Sequence, residues 1–481
     1  MLPSNPRVGV LVVAYNAATT LVRTLDRLPE SFRADVDHIL LADDASQDET
    51  YEVALDYART ASHLPLTVVK HPKNLGYGGN QKAGYAWAIG HGLDVVVLLH
   101  GDGQYAPEVI EDLVRPIVDG DADAVFGSRM MTRGGALEGG MPLYKFVGNR
   151  ILSTFQNKMT GLGLTEWHSG YRAYRVDTLR QLPLESYTDD FDFDTEIILG
   201  LLAQEARIVE VPIPTYYGDE ICYVNGMKYA RDVAADVIRY RLERMGFGQG
   251  STGVDTDPYE VKPSSHSSHG KLLEWLAATP PGRVLDVGCS DGRLGALTRH
   301  LGHTVDGVDL VKHEHVGDRL DSFLEVDLNA GLPPEVPGGY DRIIAADVLE
   351  HVIDPMSLLA QLRERLAPGG EVLVSIPNFG HWYPRGRTAL GLFDYDARGP
   401  LDQGHFRFFT RRSFEKLVGK ADMTVLERTQ VGVPIDIVDR GTSEAGLISR
   451  GLHGASVADR GAAKAWPTMF GYQFLYRLTR S

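Results

Sequence analysis

Cysteine is nearly absent from this chain: Cys222 and Cys289 are the two it has. Two thiols give no disulfide framework, and a reducing compartment is the expectation. Long apolar runs are missing as well. None approaches the roughly 20 residues that span a bilayer. The opening "MLPSNPRVGVLVVAY" has no basic region followed by a long apolar one, so no signal peptide is expected. Positive charge is in deficit, with 48 Lys and Arg against 64 Asp and Glu and a net charge of -16. That balance argues against a nucleic-acid partner. The expected location is cytoplasmic, either free or in peripheral contact with the cytoplasmic membrane face. Oligomeric state is not legible.

What is present is length and alternation. At 481 residues the chain exceeds one ordinary core. Residues 247–268 are rich in Gly, Ser, Pro and His, lack an apolar period and read as a linker. Residues 1–246 and 269–481 each alternate short apolar runs with helical patterns, which predicts two α/β domains. In the first, strands are expected at "VGVLVVAY", "DHILLAD", "LTVVKH", "DVVVLLH" and "DAVFGSR". In the second they are expected at "RVLDVGC", "HTVDGVDL", "SFLEVDL", "YDRIIAADV" and "EVLVSIPN". Helices are expected over residues 18–28, 79–91 and 271–278. Residues 225–246 predict an amphipathic helix with Met227, Ala230, Val233, Val237 and Ile238 inward. Its other face carries Lys228, Arg231, Arg239, Arg241 and Arg244. That face suits either plain solvation or a membrane-surface contact. The alternation Phe470, Tyr472, Phe474, Tyr476 fits a closing strand better than a membrane segment.

In the first domain three strands end in polar residues: Tyr15 and Asn16, then Asp43 and Asp44, then Asp102. Carboxyl ends of parallel strands share one crevice. Three acids there suit a divalent cation with ribose and base rather than bare phosphate. Each Asp taken alone is equally a helix cap.

The motifs in order resemble the inverting family 2 glycosyltransferases with the A-type nucleotide-sugar (Rossmann-like) fold, above all the dolichyl- or polyprenyl-phosphate sugar synthases. "VLVVAYNAATTL" resembles the opening turn, with Ala17 where the family has Glu. "LLADDASQDET" resembles the nucleoside loop, "NLGYGGNQKAGY" the Asn-x-Gly segment, "VFGSRM" the Gly-Ser-Arg and "HSGYRAYR" the Ser-Gly-aromatic-Arg. Where relatives read Asp-x-Asp-x-Gln, this chain reads His100, Asp102, Gln104. The resemblance implies that Tyr15, Asn16, Asp43, Asp44, Asp102, Gln104, Arg129 and Arg172 bind the nucleotide sugar. It also implies that Asp102 holds Mg²⁺ or Mn²⁺ on the diphosphate. His100 is then either a nitrogen ligand favouring Mn²⁺ or a neighbour of the ligands. A hydroxyl acceptor needs a base, for which Glu166, Asp192 and Asp194 are candidates; Glu166 is equally a partner for an arginine. A polyprenyl phosphate needs only cations, and Arg129, Arg133 and Arg172 stand where the family implies them.

In the second domain "GCSDG" fits the hydrolase G-x-S-x-G elbow, but only a linker and one helix precede it, so that reading fails. The segment resembles the class I S-adenosylmethionine-dependent methyltransferases, with a Rossmann-like fold. Asp286, Gly288, Ser290 and Gly292 match the glycine motif, Asp309 the ribose acid, and Asp327 with Leu328 the adenine contact. Asp347, Glu350 and His351 end the matching fourth strand. The resemblance implies S-adenosylmethionine as cofactor. His351, His381 and His405 are candidate bases, with His405 flanked by Asp402 and Arg407. The expectation is a bifunctional enzyme moving a sugar to a polyprenyl phosphate or glycan and methylating a sugar hydroxyl. The alternative is a methyltransferase whose first domain only binds the nucleotide sugar or glycan, as Ala17 and His100 allow.

Overall fold

A computed structural model of the chain describes residues 2, 6–61, 64–216, 225–244, 266–396, 399–433 and 447–481. They form two compact units, the first ending at Arg241 and the second reaching Ser481. Residues 247–265 of the expected linker and Cys222 lie outside the described residues; the linker's last residues, Ser267 and Ser268, instead cap and begin the helix Ser268–Ala277.

In the first unit the strands are β1 (Val8–Ala14), β2 (His38–Asp43), β3 (Leu66–Lys70), β4 (Val95–His100), β5 (Ala124–Ser128), β6 (Arg172–Arg175) and β7 (Ile208–Pro212). They make one sheet in the order β3-β2-β1-β4-β6-β5-β7. β1 pairs in parallel with β2 on one side and β4 on the other. β6 alone runs antiparallel, between β4 and β5. Val95–Leu99 are buried without alternation because core packs on both faces of the sheet. The chain leaves β1 for β2, and β4 lies on the other side. The crevice at this switch is open at the carboxyl ends.

The second unit repeats the plan with β8 (Arg283–Val287), β9 (Thr304–Asp309), β10 (Ser322–Glu325), β11 (Tyr340–Ala346), β12 (Leu366–Pro377), β13 (Met423–Val431) and β14 (Gln473–Arg480). The order is β10-β9-β8-β11-β12-β14-β13, with β14 antiparallel to both neighbours. The expected closing strand is β14, and it carries Phe474 and Tyr476 into the core. Both units are thus Rossmann-like α/β sheets.

The helix Gly226–Arg244 forms, but its faces differ from expectation. Val233, Val237 and Tyr240 are buried, while Met227 and Ile238 are exposed. Arg241 belongs to the buried side, where its guanidinium donates to the carbonyl of Met159 at 2.7 Å. A long arginine can bury its stem and cap carbonyls, which sequence spacing does not reveal. Lys228 pairs with Asp190, and Arg239 lies 3.8 Å from Glu196. Among the described residues no helix is long and apolar enough to cross a membrane.

Candidate functional site

A cleft of about 2210 Å³ opens at the carboxyl ends of β1 and β4. Tyr15, Asn16, Asp44, His100, Asp102, Gln104 and Arg129 line it. Asn16 sits at φ 50°, a left-handed conformation that Asn tolerates. Its backbone N–H donates to Ser46 Oγ (2.9 Å) and its Oδ1 accepts from the Gln47 N–H (3.0 Å). The β1 turn and the Asp-Asp loop are therefore laced together. Asp44 accepts from the N–H groups of Leu75 (2.7 Å) and Gly76 (3.1 Å), at the entry to the helix Tyr77–Gly90. Burial pushes its carboxyl up, against those two bonds. Asp43 is fully buried and is not among the lining residues; it accepts from Ser46 and lies 3.7 Å from Lys70. Its part is to shape the loop that presents Asp44.

Asp102 follows β4 in a tight turn, with Gly103 at φ 78° and the Gln104 N–H donating to Asp102 Oδ1 at 3.0 Å. The His100 ring stands edge-on to Tyr105 and Tyr77, at 5.0 and 5.6 Å between centroids. Its Nε2 is 3.5 Å from the Tyr77 hydroxyl, which donates to Asp194 at 2.8 Å. Burial lowers the imidazole below its usual range, outweighing Asp102 and Asp194, so His100 is neutral near pH 7. Gly170 makes room for it: a Cβ there would stand 2.6 Å from His100 Nε2.

Glu166 takes the arginine-partner geometry. It is 1% exposed and accepts from Arg129 Nε (2.9 Å), the Arg129 N–H (2.7 Å) and Asn149 (2.8 Å). Burial alone would raise its carboxyl, but the Arg129 guanidinium holds it below the usual range. Arg129 still lines the cleft, beside the Tyr105 ring. Arg172 does not line it. Its guanidinium donates to the carbonyls of Ser169 (2.7 Å), Trp167 (2.9 Å) and Asp194 (3.0 Å), over the Phe126 ring. It fixes the loop that carries Gly170. Arg133 is exposed, Asp192 is off the cleft wall and Asp194 is on it. Tyr77 and Tyr105, the rings that hold His100, were not expected from the sequence. Their one local signal is glycine-rich flanks that pack backbone closely.

In the second unit β8 leads into a turn with Gly288, Ser290 and Gly292 all at positive φ (69°, 50°, 80°). The Ser290 N–H donates to Asp309 Oδ2 at 2.7 Å, which joins the turn to the end of β9. Asp286 is 2% exposed, and its Oδ2 has no partner. Burial, then Asp309, pushes its carboxyl up to about 7. Asp327 is exposed and accepts from the Asn329 N–H at 2.9 Å, with Leu328 half-buried next to it. Asp347, at φ 54°, accepts from Ser375 (2.9 Å) and from Gln473 Nε2 on β14 (3.0 Å). Gln473 is 126 positions away, beyond any local pattern.

The candidate bases separate. His381 is fully buried, caps the helix Trp382–Ala389, and burial holds it down at about 4. The His405 backbone N–H donates to the Asp402 carbonyl at 3.1 Å, but its ring packs elsewhere. Asp402 accepts from the Gly404 N–H at 2.6 Å, and Arg407 donates to the Ile353 carbonyl at 2.5 Å. His405 instead meets His351, with ring centroids 4.7 Å apart, and burial with that neighbour holds it down at about 3. A neutral ring of that kind is a weak proton acceptor.

Comparison with known proteins gives these arrangements a family. Residues 9–182 match glycosyl transferase family 2, and residues 267–428 match a methyltransferase domain. The undecaprenyl-phosphate mannosyltransferase of Micrococcus luteus is 33% identical over 208 residues, 43% of this chain and 82% of that protein. The ubiquinone biosynthesis O-methyltransferase of Xanthomonas campestris pv. campestris is 33% identical over 123 residues, 24% of this chain and 52% of that protein. Among solved structures, glucosyl-3-phosphoglycerate synthase from Mycobacterium tuberculosis superposes with a TM-score of 0.39 at 16% identity, covering 50% of this chain and 79% of that one. The chain thus belongs to glycosyl transferase family 2, with a methyltransferase domain following in the same polypeptide.

Proposed function

We propose that the chain is a bifunctional enzyme: an inverting transfer of sugar from a nucleotide sugar to a polyprenyl phosphate, and an S-adenosylmethionine-dependent O-methylation of a sugar or related hydroxyl. The observation that carries the first half is Asp102, placed by β4 on the wall of a cleft that Asn16, Asp44, Gln104 and Arg129 also line. The M. luteus relative's name supports the acceptor.

The donor set fits a divalent ion shared with substrate, since such ions take one or two carboxylates and complete their shell with phosphate oxygens. Asp102 would hold it, with His100 beside it as a neutral imidazole. When bound, the ion would neutralise charge on the departing diphosphate. Asp44 and Asn16 shape the nucleoside end. Arg129, held rigid by Glu166, presents a fixed positive charge to the acceptor phosphate. That phosphate is already an anion near pH 7, so attack on the anomeric carbon needs no base. Glu166 therefore serves by positioning Arg129. In the second unit the backbone of Gly288–Gly292 would hold the cofactor, and the Asp309 carboxylate would accept hydrogen bonds from its ribose hydroxyls. The class I reading rests on that turn.

One observation favours the alternative, a first unit that binds without reacting: the buried Ala17 stands where relatives carry a carboxylate. Asp102→Asn decides between them. It keeps the shape and removes the charge that a hard cation requires. Sugar transfer from a radiolabelled nucleotide sugar to a polyprenyl phosphate should fall by about 100-fold or more, the scale of losing one transition-state contact. Methylation should persist. Transfer at the wild-type rate would end this reading.

A further inference from the structure

We propose that the second unit carries a divalent transition-metal site on Glu350, His351 and His405, and that the ion there receives the oxygen of the methyl acceptor. The acceptor's part rests on the methyltransferase reading above; the metal site does not.

The chain leaves β11 at Ala346 and turns through Asp347 into the one-turn helix Leu349–His351. Glu350 and His351 thereby stand at the carboxyl edge of the sheet, over the crevice beside β8. A separate loop brings His405. The backbone locks the two together: the Glu350 carbonyl accepts from the N–H groups of Phe406 (2.9 Å) and Arg407 (3.1 Å). One potential ligand atom from each of the three side chains lies within 4.8 Å of the others.

Three features make this a site and not an accident of packing. Glu350 is 0% exposed, yet neither of its carboxylate oxygens has a hydrogen-bond partner. No arginine or lysine among the described residues pairs with it, so both carboxylate oxygens are left for a partner from outside the chain. His405 Nδ1 is likewise buried without a partner. His351 Nδ1 lies 3.0 Å from the Gly404 carbonyl. A carbonyl can only accept, so Nδ1 bears the proton and Nε2 keeps its lone pair for a ligand. A backbone carbonyl orienting a histidine in this way is the usual support of a metal-binding imidazole. Gly404 lets the loop come this close: a Cβ there would sit 3.3 Å from His351 Nδ1.

Two imidazoles and one carboxylate suit Zn²⁺, Co²⁺, Fe²⁺ or Mn²⁺ better than Mg²⁺ or Ca²⁺. Three protein ligands leave a position for a small oxygen donor. His351 is the exposed member, so the cluster opens to solvent through it. A hydroxyl-rich acceptor is the ligand this fits. Binding makes that hydroxyl more acidic. Its proton leaves to solvent, and the oxygen bonds to the methyl carbon. The S–CH₃ bond breaks with its electron pair kept on sulfur, giving the thioether. This arrangement supplies the activation that the buried, neutral His405 would not.

The test uses the full chain, stripped with a chelator and titrated with Zn²⁺ and with Co²⁺ in the absence of nucleotide. Wild type should bind one ion at this site, and the Co²⁺ form should show the strong visible absorption of a low-coordinate, nitrogen-ligated ion. Asp102→Asn should retain both signals, which separates this ion from one held with the diphosphate. His351→Ala and Glu350→Gln should each bind at least about 100-fold more weakly, since even supporting partners of ligands cost 10–100-fold. His351 is exposed, so its variant keeps the test informative should the buried Glu350 variant misfold. Wild type that binds neither ion, or a folded His351→Ala that binds as tightly as wild type, overturns the site. Metal binding without any S-adenosylmethionine binding would leave the site standing and overturn the methyltransferase reading instead.

Discussion

Both units bury carboxylates near their crevices, and four of them fall into two contrasting pairs. In the first, Glu166 is clasped by Arg129, and Asp194 lies 3.6 Å from Arg172 while accepting from Tyr77. In the second, Asp286 and Glu350 are as deeply buried and, among the described residues, no Lys or Arg pairs with them. Glu166 is consequently held below the ordinary carboxylate range, while burial drives Asp286 up to about 7 and Glu350 well above its usual value. A paired buried acid holds neighbouring groups in place. An unpaired one is poised for something the chain itself does not supply, whether a proton, a cation or a ligand.

The largest effect should come from breaking the paired case. Glu166→Ala strands the Arg129 charge in a dry site, which costs about 3–5 kcal/mol. The loss should appear as a lower denaturation midpoint of the first unit's transition. The pH dependence has a definite sign. Glu166 has a folded pKa below its unfolded value of about 4.3, so its stabilisation is complete above that value. It disappears as pH falls through the lower folded value, and wild type and variant should converge there. A variant that melts like wild type at pH 7 would show that the pair contributes nothing.

Asp309→Ala probes an acid poised for ligand. With the ribose hydroxyls as its partners, its removal should weaken S-adenosylmethionine binding by about 1.5–3 kcal/mol, the worth of a charge-assisted hydrogen bond. Titration calorimetry reads this directly, and an unchanged dissociation constant would move the ribose site elsewhere. Sugar transfer should be untouched.

A further effect is a slope, spread over several pH units. Asp286 has a folded value near 7 against an unfolded one near 3.9, so the folded state holds an extra proton between them. Stability of the ligand-free second unit should therefore fall as pH rises from about 4 to about 7, by at most about 1.4 kcal/mol per pH unit. Above that window it should level off. Asp286→Asn should flatten the curve. Denaturant titrations across that range would check it, and an equal slope in the variant would assign the proton to another group.

This contrast was only half legible in the sequence. The parallel strands announced themselves as unbroken apolar runs, and the acids at their ends were visible as positions. What each acid touches was not. The Ser-Gly-aromatic-Arg resemblance implies a binding role for Arg172; β6 runs antiparallel and turns that side chain inward beneath the loop. Four residues, Arg172–Arg175, are too short to register as a strand. His405 seemed to belong with Asp402 and Arg407, yet its ring meets one 54 positions earlier in the chain. Pairings set by tertiary folding leave no local period. The helix Gly226–Arg244 had the right length but the wrong face at Met227, Ile238 and Arg241, because an arginine stem counts as polar in a sequence and packs as apolar in a core.

The close approach of Gly170 to His100 bears on how this cleft can change. The imidazole occupies space that exists only because residue 170 lacks a side chain, so the two positions are one steric unit. Placing Asp at 100 alone leaves a hole against Tyr77 and Tyr105. Placing Ala at 170 alone drives its methyl into the ring and to 2.8 Å from the Tyr77 hydroxyl. Made together, the changes offset each other in volume, and their energies should be strongly non-additive, as expected for residues in direct contact.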